Sequence, residues 1–276
     1  MTIEPMSRRG TLAFLLALLL IATAAAAEAH DIKLRGKLVA DGKLTFGVAL
    51  SGRPFAYRLD GTLRGFEIDW AREVADSRGL ELKAVQLPRG RLVEALAAGE
   101  VDLVNSFLLD GTAPEGIATL PYLVVGDHMM VLKANPFRIQ GPDDLAGRIV
   151  ATTAGTTGEA FAREINQRLI AEGGAPMLIH AFANHRDTHF PVSMGHAAAY
   201  FTATRSALVP SLDPDSRVRL VEGAFKARRR VGFALGAGNR DLYDAIEHAI
   251  AAKVASGAYD RLRAEHGLPD ELSPFR

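Results

Sequence analysis

The stretch that decides the fold runs from position 52 to position 75 and reads Gly52-Arg-Pro-Phe-Ala-Tyr-Arg-Leu-Asp-Gly-Thr-Leu-Arg-Gly-Phe-Glu-Ile-Asp-Trp-Ala-Arg-Glu-Val-Ala75. Its centre contains Asp60-Gly61, a dipeptide typical of hairpin turns. After Gly65 the spacing of apolar residues changes to that of an amphipathic helix. The apolar positions that can share one buried side of this helix are Phe66, Ile68, Trp70, Val74 and Ala75.

Two aromatic residues precede this hairpin. Pro54 restricts the local backbone, and alternate side chains of an extended segment point to the same side. Phe55 and Tyr57 are therefore predicted to present two rings on the border of a binding site.

Short apolar runs alternate with helical patterns along the rest of the chain. This alternation predicts an α/β protein whose sheets are mostly parallel and covered by helices on both faces. Such sheets bind ligands outside the carboxyl ends of their strands. The predicted strands are 44–50, 80–87, 101–107, 124–132, 148–153, 177–181, 197–202 and 231–235, and the predicted helices are 66–79, 91–98, 143–145, 158–170, 191–195, 205–209, 241–255 and 259–266.

Several motifs occur in a collinear order that resembles one known family. The sequence resembles the amino-acid-type family of bacterial periplasmic solute-binding proteins, the receptors of ABC importers, over roughly residues 43 to 268. The matching segments are Pro54-Phe55-x-Tyr57, Asp60-Gly61-x-x-x-Gly65-Phe66-x-x-Asp69, Arg91 to Leu96, Gly99 to Leu103, Leu120-Pro121-Tyr122, Val150 to Gly158 and Gly195 to Tyr200.

The resemblance implies a two-lobed periplasmic-binding-protein fold with a hinge of two crossings. Residues 30–124 and 229–276 would form a discontinuous first lobe, and residues 125–228 would form the second lobe. The crossings are expected near Tyr122–Asp127 and Phe225–Arg230. The implied function is capture of a small molecule by hinge closure and its delivery to an inner-membrane ABC permease.

The charged anchors that this family uses for amino acids are absent from the expected positions. An arginine that clamps the ligand carboxylate would fall on Thr112 or Gly116, and the acidic residue for the ligand ammonium falls on Ala203. Burying the charges of a zwitterion without partners costs several kcal/mol. The ligand is therefore predicted not to be a standard α-amino acid.

The remaining candidate site residues indicate an apolar cleft with a basic rim. Backbone amides at 155–158, at the start of a predicted helix, would favour an anionic group. Phe55, Tyr57 and Phe107 would supply rings. The polar and basic candidates are Ser106, Thr112, Thr156, Thr157 and Thr204 as neutral hydrogen-bond partners, with Arg89 at the rim.

A histidine cluster raises a metal alternative. His185, Asp187 and His189 could lie on one side of an extended segment, with His196 nearby, and such side chains suit zinc or copper. Clusters of this kind arise easily by chance. The prediction is therefore that the chain has no metal and no cofactor.

Composition and the N-terminus indicate an exported protein. The 32 basic and 32 acidic residues balance, so no nucleic-acid or membrane-surface partner is indicated. Residues 1–29 read as a signal peptide cleaved after Ala29, by the general or the twin-arginine route. The chain contains no cysteine, which excludes disulfides and a lipid-modified N-terminal cysteine. A soluble periplasmic monomer is expected.

Two other functions remain open from the sequence. One is an accessory protein that keeps the fold but binds a periplasmic dehydrogenase. The other is a dehydratase-like enzyme on the same fold. The family places Glu67 and Asp69 beside the cleft rather than in it, and hydrolase, phosphate-binding-loop and zincin motifs are absent. No catalytic residue is predicted, and the chain is expected not to be an enzyme.

Overall fold

The computed structural model describes residues 37–109 and 114–275, which form ten strands and seven α-helices. The strands are β1 (Lys43–Val48), β2 (Tyr57–Leu59), β3 (Thr62–Arg64), β4 (Glu81–Gln86), β5 (Leu103–Leu108), β6 (Ile117–Leu132), β7 (Ile149–Thr153), β8 (Leu178–Phe182), β9 (Ala199–Ala203) and β10 (Val218–Gly236). The helices are α1 (Phe66–Asp76), α2 (Leu92–Ala97), α3 (Thr157–Ala171), α4 (His185–Ser193), α5 (Thr204–Ser211), α6 (Arg240–Ala255) and α7 (Ala258–Glu265). Short 3₁₀ turns lie at Arg89–Arg91, Pro142–Leu145 and Asp270–Leu272.

Eight strands form one mixed sheet in the order β4-β1-β5-β10-β6-β9-β7-β8. The three strands at each end are parallel to one another, as predicted. The first lobe is built on β4-β1-β5 and the second on β9-β7-β8, while β10 and β6 are antiparallel to their neighbours and join the two. The two-lobed α/β fold is confirmed, with both lobes sharing a continuous sheet.

The two central strands are much longer than the sequence patterns predicted. β6 has 16 residues and β10 has 19, and they pair with each other over most of their length. The pairing register shifts at three places, one of them between Ala227 and Arg229. Both crossings between the lobes are therefore extended chain within a ladder of hydrogen bonds.

The stretch from 52 to 75 folds back on itself through Gly65. This residue has a φ of 113°, and a Cβ atom there would lie 2.2 Å from the carbonyl oxygen of Phe55. The missing side chain lets the Phe66 amide donate to the Pro54 carbonyl and the Glu67 amide to the Phe55 carbonyl, each at 3.0 Å. These two bonds satisfy amides of the first turn of α1, where no side chain caps the helix.

The apolar face of α1 packs into the main core of the first lobe. Trp70 is fully buried and meets Tyr259 edge-to-face, with ring centroids 5.2 Å apart. The Tyr259 hydroxyl donates to the Tyr122 carbonyl at 2.7 Å, which ties α7 to the crossing strand β6. Burial of a large aromatic side chain of this kind contributes roughly 2–3 kcal/mol or more. The helical pattern at positions 66–75 is thus confirmed, and the helix ends at Asp76 rather than Gly79.

Two sequence predictions about local structure are wrong. Phe55 and Tyr57 do not share a face, because residues 52–55 form a turn in which the Phe55 amide donates to the Gly52 carbonyl at 2.9 Å. The helix expected at 191–195 begins instead at His185, where the Asn184 side chain accepts a hydrogen bond from the Asp187 amide. In the described ranges, no helix is long and apolar enough to span a bilayer.

A contact between α1 and the end of α7 predicts a pH-dependent contribution to stability. Burial raises the pKa of Asp69, but hydrogen bonds from His266, at 3.1 Å, and from Arg72 outweigh it and hold the pKa below its ordinary value. The folded-state pKa is therefore lower than the unfolded one, so this stabilisation is present at neutral pH and is lost as the pH falls below about 4.

Asp69→Asn is expected to lower the free energy of unfolding more at about pH 7 than at about pH 3. Urea unfolding at both pH values measures this difference. Asp76→Asn, which removes an exposed carboxylate from the same helix, serves as the control. An equal loss at both pH values would contradict the assigned role of the Asp69 carboxylate.

Candidate functional site

A cavity of about 380 Å³ lies where the two lobes meet the crossing strands. This is within the range usual for small-molecule sites. Its wall is apolar around Phe55, Leu123, Val125 and Val231. The polar and small residues that line it are Ser51, Glu67, Arg89, Gly126, Asp127, Thr157, Ala203, Thr204, Arg205 and Arg229.

A buried carboxylate forms part of the first-lobe wall. Glu67 is 1% exposed, and its Oε2 accepts hydrogen bonds from Ser51 Oγ at 2.9 Å and from Asn105 Nδ2 at 2.8 Å. Its Oε1 accepts from the hydroxyl of Tyr122. Hydrogen bonds from three donors fix the position of this carboxylate. Glu67 therefore holds together the β1–β2 connection, β5 and β6 at the edge of the cavity.

A second buried carboxylate stands on the crossing strand. Asp127 of β6 is 1% exposed and accepts a hydrogen bond from Thr157 Oγ1, at the start of α3, at 2.8 Å. Val125, two residues before Asp127 on the same strand, belongs to the apolar wall. The start of α3 is thereby fixed to the crossing strand.

The start of α5 is fixed to the same strand. Thr204 Oγ1 accepts a hydrogen bond from the Gly126 amide at 2.8 Å and donates one to the Gly126 carbonyl at 3.0 Å. The Nε2 atom of the buried His128 lies 3.1 Å from the same oxygen. A Cβ at position 126 would lie 2.0 Å from the Lys226 carbonyl oxygen, so only glycine allows β6 and β10 to approach this closely.

Three arginines reach the cavity from different elements. Arg89 lies in the 3₁₀ turn before α2, Arg205 in the first turn of α5, and Arg229 in β10. All three are exposed, in contrast to the two carboxylates. The guanidinium of Arg205 lies against Gly52, since a Cβ built there would be 3.1 Å from its Nε and Nη2 atoms. A second-lobe arginine therefore touches the first lobe.

One amide at the start of α3, that of Gly155, is not open to a ligand in the way predicted. The Gly155 amide donates to Glu159 Oε2 at 2.8 Å, so a carboxylate of the helix itself occupies this position. A hydrogen bond from Arg163, together with the Gly155 amide, holds the pKa of Glu159 below its ordinary value. An incoming anion would have to compete with this internal carboxylate.

The structure brings together four of the predicted site residues. Phe55, Arg89, Thr157 and Thr204 all line the cavity. The other two predicted residues with described side chains lie elsewhere. Tyr57 borders a separate cavity, because the preceding turn points its side chain away from the first one. The Arg53 guanidinium lies 4.4 Å from the centroid of the Tyr57 ring. Thr156 caps α3 by accepting a hydrogen bond from the Glu159 amide and borders an adjacent cavity.

Three predicted site residues cannot be placed at the cavity. Ser106 and Phe107 lie in β5, but their side chains are outside the described part of the structure, and Thr112 is outside the described residues altogether. Their roles remain predictions.

Four charged residues of the cavity were not predicted from the sequence to lie there. Glu67 was expected beside the cleft, whereas the structure places it in the wall. Asp127 and Arg229 were included only in the expected hinge crossings, and Arg205 was not considered as a site residue. The one signal for Asp127 was an acidic residue inside an apolar strand pattern, since a buried charge is rare without a partner. The cavity is thus more highly charged than an apolar cleft with a basic rim.

Helix α4 removes the extended segment on which the histidine hypothesis was based. His189 lies in a helix and not in an extended segment, and it meets Tyr200 with ring centroids 6.4 Å apart. Among the described residues, no group of three or more His, Cys, Asp or Glu side chains could hold a metal ion. The side chain of His185 lies outside the described part of the structure, so the metal hypothesis stays a hypothesis.

This architecture and an inter-lobe cavity define a class of two-lobed binding proteins, and comparison with known proteins identifies the family. Residues 44–268 match the family model of bacterial extracellular solute-binding proteins, family 3. The match covers most of the chain, which therefore belongs to this family. The resemblance inferred from the sequence motifs is confirmed.

Individual relatives are distant. The chain is 25% identical over 257 residues to the L-cystine-binding protein TcyJ of Escherichia coli K12, covering 92% of this chain and 93% of that protein. A substrate-binding domain of a putative amino acid ABC transporter from Streptococcus pneumoniae has a similar fold, with a TM-score of 0.70 at 16% identity over 81% of this chain and 99% of that chain. An ancestral cyclohexadienyl dehydratase also shares the fold, with a TM-score of 0.62 at 22% identity over 81% of this chain and 92% of that chain.

Proposed function

We propose that this protein captures a small solute in the cavity between its lobes by hinge closure and delivers it to an inner-membrane ABC permease. The observation that supports this most directly is the composition of the cavity wall. It takes residues from the first lobe, from both crossing strands and from the helix starts of the second lobe. A solute that contacts all of these would bind best when the lobes close.

The hinge lies in the central part of β6 and β10. We place it near Tyr122–Asp127 and Phe225–Arg230, where the register of the two strands shifts. The lobe boundaries that follow are residues 30–124 and 229–276 for the first lobe and 125–228 for the second. The register shift between Ala227 and Arg229 interrupts the ladder, which lets the strands bend there.

The proposed ligand is not a standard α-amino acid. Ala203 borders the cavity where an acidic residue would be needed to hold a ligand ammonium group in the family pattern. Glu67 and Asp127 lie in the wall, but both already accept hydrogen bonds from the protein. We therefore do not propose the amino-acid ligands of the relatives as ligands of this protein.

A binding protein is favoured over an enzyme. Chemistry of the dehydratase type needs an acid or a base inside the cleft, and Glu67 is the best-placed candidate. Both of its oxygens accept hydrogen bonds from neighbouring residues, as suits a carboxylate that supports the wall. We further propose that residues 1–29 are removed on export and that the mature protein acts as a periplasmic monomer.

Thermal unfolding of the mature protein tests this function. The twenty standard amino acids at about 1–5 mM are expected to give no saturable shift, because the sequence lacks the family's charged anchors for a zwitterion at the expected positions. Binding would not escape detection, since a ligand at a hundredfold excess over its Kd stabilises the protein by about 2.7 kcal/mol. Other solute classes are screened in the same way.

The first solute that binds must then reduce the radius of gyration measured by X-ray scattering, because capture closes the lobes. Tight binding with an unchanged radius would contradict capture by hinge closure and favour a rigid adaptor. A saturable shift with any standard amino acid would contradict the exclusion of that ligand class.

A further inference from the structure

The charges that a solute can reach in the cavity differ from the charges that merely line it. Glu67 and Asp127 are each 1% exposed, whereas Arg89, Arg205 and Arg229 are exposed. A molecule that enters the cavity therefore meets guanidinium groups before it meets carboxylates. The accessible part of the wall is positive although the whole chain is neutral.

The two buried carboxylates are poorly accessible to a cationic ligand group and already accept hydrogen bonds from the protein. Glu67 accepts hydrogen bonds on both oxygens, from Ser51, Asn105 and Tyr122. Asp127 accepts one from Thr157. Replacing the donors of Glu67 by a ligand ammonium would leave the buried Tyr122 hydroxyl and Asn105 amide without partners, at a cost for each. Neither carboxylate is placed as an open cation site.

Arg205 is the arginine best suited to bind a ligand anion. It projects from the first turn of α5, and its guanidinium lies against Gly52 on the opposite lobe. Among the residues that the structure describes, it makes no hydrogen bond or ion pair. Its planar group carries five N–H donors and can bind a carboxylate through two parallel bonds. This donor set stands at the cavity, on the boundary between the lobes.

The rest of the cavity wall is mainly apolar and therefore favours a ligand with an apolar body. Phe55 offers a buried ring, and Leu123, Val125 and Val231 extend the apolar surface. At the start of α3, the Gly155 amide already donates to Glu159, and the negative charge of this carboxylate disfavours an incoming anion there. An anionic group is thus directed to the arginines and an apolar group to the side of Phe55.

We propose that the cavity selects small organic anions, namely carboxylates on an apolar body without an α-ammonium group, and that Arg205 binds the carboxylate. This inference rests on the proposed solute-capture function and specifies its substrate class. Arg89 and Arg229 add positive potential at the same cavity. The arginine is supplied by α5 and not by the segment around Thr112, so the anion would be held from the second lobe.

Matched pairs of ligands test the selection of charge. Titration calorimetry with the mature protein compares 4-methylpentanoate with leucine, and 3-phenylpropanoate with phenylalanine, since each pair differs only by the ammonium group. The corresponding primary amides and primary amines complete each series, and mono- and dicarboxylates of other lengths extend the anion class. Carboxylates are expected to bind, and the amides, amines and amino acids are not.

Variants then test the role of Arg205. Arg205→Gln is expected to weaken binding of the best carboxylate about 10- to 100-fold, the effect of losing a hydrogen-bonded charge pair. Arg240→Gln removes an equal charge from an exposed position on α6, away from the cavity, and should change the affinity less than about twofold. Thermal unfolding of both ligand-free variants checks that they remain folded.

The outcomes separate the two proposals. Binding of a neutral, cationic or zwitterionic solute in preference to the carboxylates overturns the anion inference and leaves solute capture intact. Carboxylate binding that is equally strong in the folded Arg205→Gln variant overturns the assignment of Arg205. If no solute of any class binds, the capture function fails, and the anion inference fails with it.

Discussion

Replacing Glu67 by leucine is expected to lower the free energy of unfolding by about 3–5 kcal/mol, because several buried donors then lose their acceptor at a cost of about 1–3 kcal/mol each. The affected groups are the Tyr122 hydroxyl and the Asn105 amide, both on fully buried side chains, and the half-buried Ser51 hydroxyl. Denaturant unfolding measures the loss.

Glu67→Gln is the matched control for this change. The amide keeps one acceptor for Ser51 and Asn105, and its N–H can donate to the Tyr122 hydroxyl, which can also accept. The expected loss is only about 1–2 kcal/mol. If Glu67→Leu and Glu67→Gln lower the free energy of unfolding equally, or if Glu67→Leu raises it, the hydrogen bonds around Glu67 do not stabilise the cavity wall.

The Gly65→Ala variant is expected to lose about 3–5 kcal/mol of stability, through a forbidden backbone conformation and a steric clash together. At a φ of 113°, the added methyl group would lie 2.2 Å from the carbonyl oxygen of Phe55 and 2.8 Å from the carbonyl oxygen of Pro54. Both contacts are with backbone, so the hairpin has to move away from α1. Soluble yield and thermal unfolding measure the effect.

Gly61→Ala provides a control within the same hairpin. Gly61 also has a positive φ, of 76°, but nothing lies within 4 Å of a Cβ there. Its loss should be about 1–2 kcal/mol, the cost of a left-handed conformation alone. Similar losses at the two positions would mean that the close approach of the hairpin to α1 contributes nothing.

Most of the fold was predictable from local patterns. α1, α3 and α6 follow the 3.6-residue spacing of buried residues, and their starts are within a residue of those predicted. The long strand β10 was not predictable in this way. Ala227, Arg229 and Arg230 are exposed within it, so the segment shows no alternation of apolar and polar residues. Its strand character comes from pairing with β6, which is a tertiary interaction.

The site was predictable only where a motif fixed the local backbone. Phe55 was found through the Pro-Phe motif, and Thr157 through the turn before α3. The position of Glu67 in the wall depends on Ser51, Asn105 and Tyr122, the last two of which are 38 and 55 residues away in sequence. Arg205 likewise reaches Gly52 only because the lobes face each other. Pairings between distant segments leave no periodic pattern in a single sequence.

The hydrogen bonds around Glu67 also have a consequence for conformational entropy. The side chains of Glu67, Asn105 and Tyr122 are buried and fixed by one another, so the first-lobe wall loses little freedom when a solute arrives. An exposed arginine that becomes ordered loses about 2 kcal/mol of rotamer freedom. Tight binding of an anion therefore depends on how far its guanidinium partners are restrained beforehand, and the contact with Gly52 already restrains Arg205.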